Sequence, residues 1–274
     1  MTNFSKMTIP SEKCKIGISL KGAWYESKTN YKEDKVAAER AIEMTFGWWA
    51  NPIFHRSGDY PYLMKSRVKF SSHLQNFSAT RLPPLSSDEI KQIKGSADFL
   101  GINYYTGYIV SNDTNSTNLT PSFENDLNVK REYNPEWRSS SLPDLKDYPD
   151  GLRDILKWTK EKYKNPLVYI TENGFADNGE VNDTNRINYL RGHLSELQKA
   201  IVLDHCKVKA YSVWSLMDNF AGREGYATKF GLYSVNFKDP FKTRSPKASA
   251  AFYKNVIDAK SVTINVDVQL VSTE

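Results

Sequence analysis

Apolar positions recur along this chain in two rhythms that take turns. Lys15 to Leu20 alternates, with Ile16, Ile18 and Leu20 on one side as in a β-strand, and a loop carrying Trp24 and Tyr25 follows. From Glu33 to about Ala50 the apolar set Val36, Ala37, Ile42, Met44 and Phe46 has helical spacing, and Pro52 is expected to end that helix. Gly58 to Pro61 reads as a turn, Tyr62 to Phe70 as a short helix or irregular segment. After Pro83-Pro84, Ser86 or Ser87 should cap a further short helix. Ala97 to Tyr105 is a second strand, with Phe99, Gly101, Asn103 and Tyr105 on one face and Leu100, Ile102 and Tyr104 on the other.

The next 40 or so residues are rich in Asn, Ser, Thr and Pro and read as a long excursion loop. A helix from Leu152 to Tyr163 buries Leu152, Ile155, Leu156 and Thr159, and Pro166 closes it. The strand Leu167 to Ile170 then delivers Glu172 to its tip. Strict alternation puts Glu172 on the face of Val168 and Ile170, and the Asn173-Gly174 step supplies a turn. Arg186 to Leu203 is a helix, with Ile187, Leu190, Leu194, Leu197 and Ile201 as its apolar stripe. Val208 to Leu216 is a strand whose Val208, Ala210, Ser212 and Trp214 share a face. A last helix spans Lys247 to about Ala259, and Val262 to Val271 alternates like a strand with no evident place.

A strand followed by a helix four times over is the pattern of a parallel sheet with helices packed on it. In such folds chemistry gathers at the C-terminal strand ends, which here carry Tyr105, Glu172 and Trp214. No Gly-x-Gly-x-x-Gly follows any strand, so a dinucleotide site is not expected. A carboxylate at a strand tip serves either chemistry or a structural ion pair, and this stretch alone leaves both open.

Composition narrows the choice. The 274 residues are 39% hydrophobic and 25% charged, ordinary for a folded protein. The formal charge of +5 comes from 37 basic and 32 acidic residues without a basic block, which argues against nucleic acid as a partner. Cys14 and Cys206 form no metal or redox motif, and a disulfide between them has no support. No run approaches the roughly 20 apolar residues of a membrane span, so no membrane partner is expected. The first 14 residues are polar, with no signal-like segment. Sequons at Asn3, Asn76, Asn112, Asn115, Asn118 and Asn182 point towards a glycosylated, secreted parent, while localisation stays open.

Several segments together carry a resemblance. Ile170-Thr171-Glu172-Asn173-Gly174-Phe175 resembles the nucleophile motif of family 1 glycoside hydrolases, the β-glucosidase, lactase and myrosinase family. Gly47-Trp48-Trp49, Asn51-Pro52, Gly58-Asp59-Tyr60-Pro61, Arg81-Leu82-Pro83 and Asp98 to Tyr105 resemble that family in its own order. So do Trp214 to Phe220, Gly225-Tyr226 and Phe230-Gly231-Leu232-Tyr233. The likeness covers about residues 15–257 of a single domain, with 1–14 as a leader and 258–274 as a tail.

It implies a (β/α)8 barrel and a cofactor-free double displacement with retention, run by two glutamates about 5 to 5.5 Å apart. On that resemblance Glu172 is the nucleophile and Tyr105 orients it. Trp214 floors the glycone pocket, Phe230 lines its edge, and Asn103 is a neighbour with a lesser role. The substrate implied is a β-glycoside.

Two departures qualify the likeness. The family's acid/base glutamate sits in an Asn-Glu-Pro motif on the fourth strand, and that motif is absent from these residues. Asn134-Pro135-Glu136 is only a scrambled look-alike. The motifs present belong to strands five to eight, so the expectation is an incomplete barrel, its C-terminal half, with an N-terminal half as partner. Where the family has Asp-Asn-Phe-Glu-Trp, this chain has Asp218-Asn219-Phe220-Ala221-Gly222, and Glu224 reads as an exposed loop charge. Without the general acid the chain by itself is expected to lose on the order of 10²- to 10⁴-fold of its activity towards ordinary leaving groups. The rival reading is a catalytically dead sugar-binding or interaction protein, or a truncated gene product.

Overall fold

The computed structural model describes residues 14–114 and 120–262. In chain order the elements are β1 (Gly17–Ser27), α1 (Lys32–Ile42), a π-helical turn (Glu43–Gly47), α2 (Trp48–Phe54), α3 (Tyr62–Leu74), α4 (Ser87–Ile93) and β2 (Phe99–Asn112). Then come α5 (Phe123–Leu127), β3 (Val129–Glu132), α6 (Asp150–Lys162), β4 (Val168–Asn173), α7 (Thr184–Val202), β5 (Val208–Val213), a 3-10 turn (Gly222–Glu224), β6 (Tyr233–Val235), β7 (Arg244–Pro246) and α8 (Ala248–Ala259).

The β/α rhythm folds as expected. β1, β2, β4 and β5 form a parallel sheet in that order, and β3 is added antiparallel to the far end of β2. β1 and β5 have no partner on their outer sides among the described strands. One face of the sheet holds the core: Leu20, Leu100, Ile102, Tyr104, Val168 and Ile170 pack with Ala41 and Ile42 of α1, Ile155 and Leu156 of α6, and Leu190 of α7. The opposite face presents Ser19, Lys21 and Ser212, all exposed, together with Phe99 stacked on Tyr169 at 4.4 Å.

Several local expectations are corrected, and two open alternatives, at Tyr62 and at Ser86 or Ser87, are decided. The helix from Glu33 is not continuous to Ala50, because the π turn interrupts it and α2 carries Pro52 inside before ending at Phe54. Pro52 stands at the fifth of the seven positions of α2, past the first turn, and the helix ends two residues on. Tyr62 begins a regular helix of 13 residues. Ser86, rather than Ser87, caps α4, in a reciprocal box with Glu89. The second strand does not stop at Tyr105 but continues to Asn112, and the loop after it contains α5 and β3. That loop is pinned by Trp137 stacked on Tyr148 at 4.1 Å. Ile201, at the end of the α7 stripe, is exposed. The expected strand Val262 to Val271 lies, from Thr263 on, outside the described residues.

The register also overturns two face assignments. Ile102 pairs with Ile170, but Asn103 pairs with Glu172, so Thr171 is an extra residue in β4 and the strand bulges there. Glu172 therefore leaves the face of Val168 and Ile170 and turns to the open side. In β5, two irregularities put Val208, Tyr211 and Val213 against the core while Ala210, Ser212 and Trp214 stay exposed. Val208 thus parts from the face it was expected to share.

Candidate active site

The bulge gives β4 an unusual tip, with two consecutive side chains on the open face. Thr171 Oγ1 donates to Asn103 Oδ1, which also accepts from Ser19 Oγ at 2.9 Å. Ser19 and Thr171 hydroxyls meet at 2.5 Å. Asn103 thus joins a polar layer across three strands at the level of the acid with which it is in register. One position on, Glu172 accepts a hydrogen bond from Tyr105 Oη at 2.7 Å. Burial, that bond and the Glu172 charge all push the Tyr105 phenol well above its ordinary range, so it stays a donor.

Behind this pair stands a buried amide. Asn173 Nδ2 donates to the Tyr104 carbonyl at 2.8 Å and to Tyr189 Oη at 2.9 Å, while its Oδ1 accepts from Tyr211 Oη at 2.6 Å. Tyr189 Oη in turn donates to the Tyr105 carbonyl at 2.8 Å. The backbones on both sides of Glu172 and Tyr105 are therefore tied to one another, to α7 and to β5. Asn173 ends β4 as a fully buried residue, so the turn expected at Asn173-Gly174 is displaced and the chain leaves the strand only at Gly174.

The aromatic residues close the site. Phe230, 7% exposed, sets its ring edge-on to Tyr105 at 6.2 Å. Trp214, 36% exposed, extends β5 towards the open side, its N–H donating to the Asn173 carbonyl at 2.9 Å. The peptide bond from Trp214 to Ser215 is cis. Gly174 lies so close that a Cβ there would sit 1.8 Å from the Trp214 carbonyl oxygen, which only glycine allows. Lys21 is in register with Asn103 one strand over, exposed on the same open face.

The loops that frame the site are joined by buried charge. Arg186, fully buried, pairs with Asp177 and Asp183 and donates to the carbonyls of Phe175 and Lys229. Lys247 Nζ, also buried, sits 3.1 Å from Asp177 and 3.7 Å from Asp218. Asp218 accepts from Gly231 N at 2.9 Å, and Asp183 accepts from Ser249 N at 2.8 Å. Burial pushes the Asp177 carboxyl up against the pull of Arg186 and Lys247.

The five residues singled out in sequence are thus brought to one end of the sheet, with Tyr105 touching both Glu172 and Phe230 and with Asn103 in register with Glu172. Ser19, Lys21, Thr171, Asn173, Tyr189, Tyr211 and the buried charges were not singled out. Thr171 and Asn173 flank the acid in sequence, and that adjacency was the available signal. Glu136 is exposed in a turn closed onto Asn134 Oδ1, and Glu224 is exposed in the 3-10 turn, as read for a loop charge. Among the described residues no group of three or more His, Cys, Asp or Glu could hold a metal ion. No helix of the described residues is long and apolar enough to cross a membrane.

A parallel β/α sheet that carries an oriented carboxylate and an exposed tryptophan at its C-terminal strand ends has its candidate site where α/β folds hold their chemistry. The chain belongs to glycosyl hydrolase family 1, whose model matches residues 1–262. It is 36% identical over 256 residues to Myrosinase 1 of Brevicoryne brassicae, covering 93% of this chain and 54% of that protein. The solved aphid myrosinase superposes with a TM-score of 0.85 at 35% identity, over 93% of this chain and 55% of that one. A rice β-glucosidase mutant in a covalent complex with Glc gives 0.79 at 34% identity, over 88% and 50%. The chain spans about half the length of these relatives.

Proposed function

We propose that this chain carries the nucleophile half of a retaining β-glycosidase, strands five to eight of a (β/α)8 barrel with their helices. The observation that carries the reading is the Tyr105–Glu172 hydrogen bond at the open tip of the parallel sheet. Glu172 attacks the anomeric carbon of a β-glycoside, the bond to the leaving oxygen breaks, and a glycosyl ester forms on the carboxylate. Tyr105 holds the carboxylate in line, Trp214 stacks on the sugar ring, and Phe230 and Asn103 bound the pocket. The rice relative's covalent complex with Glc supports such an ester.

The leaving oxygen needs a proton, and the Asn-Glu-Pro segment that supplies it in the family is not within these 274 residues. A second barrel half is therefore the implied partner for full activity. The test is incubation of the chain with a 2-fluoro-glucoside bearing a dinitrophenyl leaving group, which departs without a general acid. Mass spectrometry should find an adduct on Glu172. No adduct at saturating reagent would leave the rival reading, a sugar-binding scaffold without catalysis.

A further inference from the structure

Three of the six sequons, at Asn76, Asn112 and Asn182, lie within the described residues, and the fold treats them differently. Asn76 follows the C-terminal turn of α3 and is exposed, with a left-handed backbone (φ 59°) that asparagine tolerates. Ser78, which completes its sequon, is exposed as well. Asn182 is exposed just ahead of α7, and Thr184, the first residue of that helix, is exposed beside it. Among the described residues neither the Asn76 nor the Asn182 side-chain amide has a hydrogen-bond partner.

Asn112 is the opposite case. It ends β2, half-buried and paired with Val129 of β3. Its Oδ1 accepts from Arg40 Nη2 at 3.1 Å, and its backbone N–H donates to Asp34 at 2.9 Å. Arg40, itself buried, also donates to the carbonyls of Leu127 at 2.7 Å and Asn128 at 2.8 Å, and so joins α1 to the turn before β3. A sugar on the Asn112 amide would disturb that junction and leave a buried guanidinium short of an acceptor, which is costly.

A second feature singles out Asn76. Phe70 and Leu74, one helical turn apart on α3, and Phe77, next to Asn76, are all exposed. The guanidinium groups of Arg67 and Arg81 lie over the Phe70 and Phe77 rings at 5.4 and 5.7 Å. Exposed apolar side chains gathered in one place and rimmed by polar groups mark a surface that something covers. Asn76 stands within this group, so an oligosaccharide attached there falls on it.

We propose that Asn76 and Asn182 carry N-linked oligosaccharides when the chain is exported, that Asn112 does not, and that the oligosaccharide on Asn76 covers Phe70, Leu74 and Phe77. In the attachment step the asparagine amide nitrogen bonds to the anomeric carbon of a lipid-linked oligosaccharide. The bond from that carbon to the lipid diphosphate breaks, and the nitrogen gives up one proton as the lipid diphosphate leaves. The attached sugar is bulky and keeps its hydroxyls in water, so the apolar group beneath it is withdrawn from other chains. The inference stands apart from the reading of Glu172, since no residue of that site takes part.

The test is production of the 274-residue chain through the secretory pathway of cultured eukaryotic cells, behind a cleavable export signal. An amidase that releases N-glycans leaves Asp in place of each occupied Asn, and peptide mass spectrometry reads the change. The soluble protein should show Asp at 76 and 182 and Asn at 112. Attachment precedes folding, so chains occupied at 112 should be confined to the insoluble fraction. Ser78→Ala and Thr184→Ala each remove one sequon, and Ser78→Ala does so without placing a new side chain on the left-handed backbone of Asn76. Ser78→Ala should lose the glycan at 76 alone and bind more of an apolar dye than the parent. Thr184→Ala should lose the glycan at 182 and bind the dye as the parent does. An unmodified Asn at 76 or at 182 in the parent would overturn the assignment of that site, and Asp at 112 in the soluble fraction would overturn the argument from burial. Dye binding unchanged by Ser78→Ala would overturn the cover over Phe70, Leu74 and Phe77.

Discussion

Tyr105→Phe is the sharpest probe of how Glu172 is held. The substitution removes one hydroxyl and keeps the ring, so the edge contact with Phe230 and the bond from Tyr189 to the Tyr105 carbonyl both survive. What is lost is the 2.7 Å bond to a carboxylate in a largely buried setting. Hydrogen bonds to charged groups contribute about 1.5 to 3 kcal/mol, and a tenfold rate change corresponds to about 1.4 kcal/mol. If the whole bond serves to aim the carboxylate, the formation of the glycosyl ester slows by about 10- to 150-fold. That figure is an upper bound, because part of the bond is given up as negative charge leaves the carboxylate for the new ester. The assay is the rate of adduct appearance on Glu172 with the dinitrophenyl 2-fluoro-glucoside, which isolates this step from proton donation. A rate within twofold of the parent, with an unchanged thermal midpoint, would refute the claim that Tyr105 positions the acid.

Other expectations rest on the same geometry. Trp214→Ala should raise the dissociation constant of a glucose-like inhibitor by about 2- to 12-fold, since a stacked aromatic contributes about 0.5 to 1.5 kcal/mol, and calorimetry would read it. Lys247→Met removes the cation between Asp177 and Asp218 and should destabilise the fold by about 3 to 5 kcal/mol in urea titration, because buried carboxylates are left unmatched. Burial pushes Asp147 up to about 6, beside a buried His193 held neutral by a value pushed down to about 3. A raised carboxyl contributes stability below its unfolded value near 4 and loses it as pH rises through 6, so Asp147→Asn should gain up to about 2 to 3 kcal/mol on the parent at pH 7 and almost nothing at pH 4. Equal differences at the two pH values would show that Asp147 is not the group responsible.

The β/α order, the helix stripes and the placing of Tyr105, Glu172 and Trp214 at strand ends were legible because each rests on local periodicity. What escaped was non-local. The bulge at Thr171 appears only when β2 and β4 are paired, since a strand read alone gives no sign that it must hold one residue more than its neighbour. Asn173 looked like a turn residue because Asn-Gly is a strong turn signal, and its burial depends on hydroxyls from Tyr189 and Tyr211, elsewhere in the chain. Arg186 and Lys247 served only as helix boundaries in the sequence, and their burial depends on aspartates that, Asp183 apart, come from distant loops.

The bulge also sets how the strand tip tolerates change in length. Loss of one residue at Thr171 would set Glu172 directly after Ile170, still on the open face and in register with Asn103, and would leave Asn173 its three hydrogen bonds. Straightening the strand without that loss would instead turn Glu172 to the side of Ile170, among Tyr104, Tyr189 and Tyr211, and leave the open face without the carboxylate. The bulge, as much as the identity of the acid, is therefore what aims it.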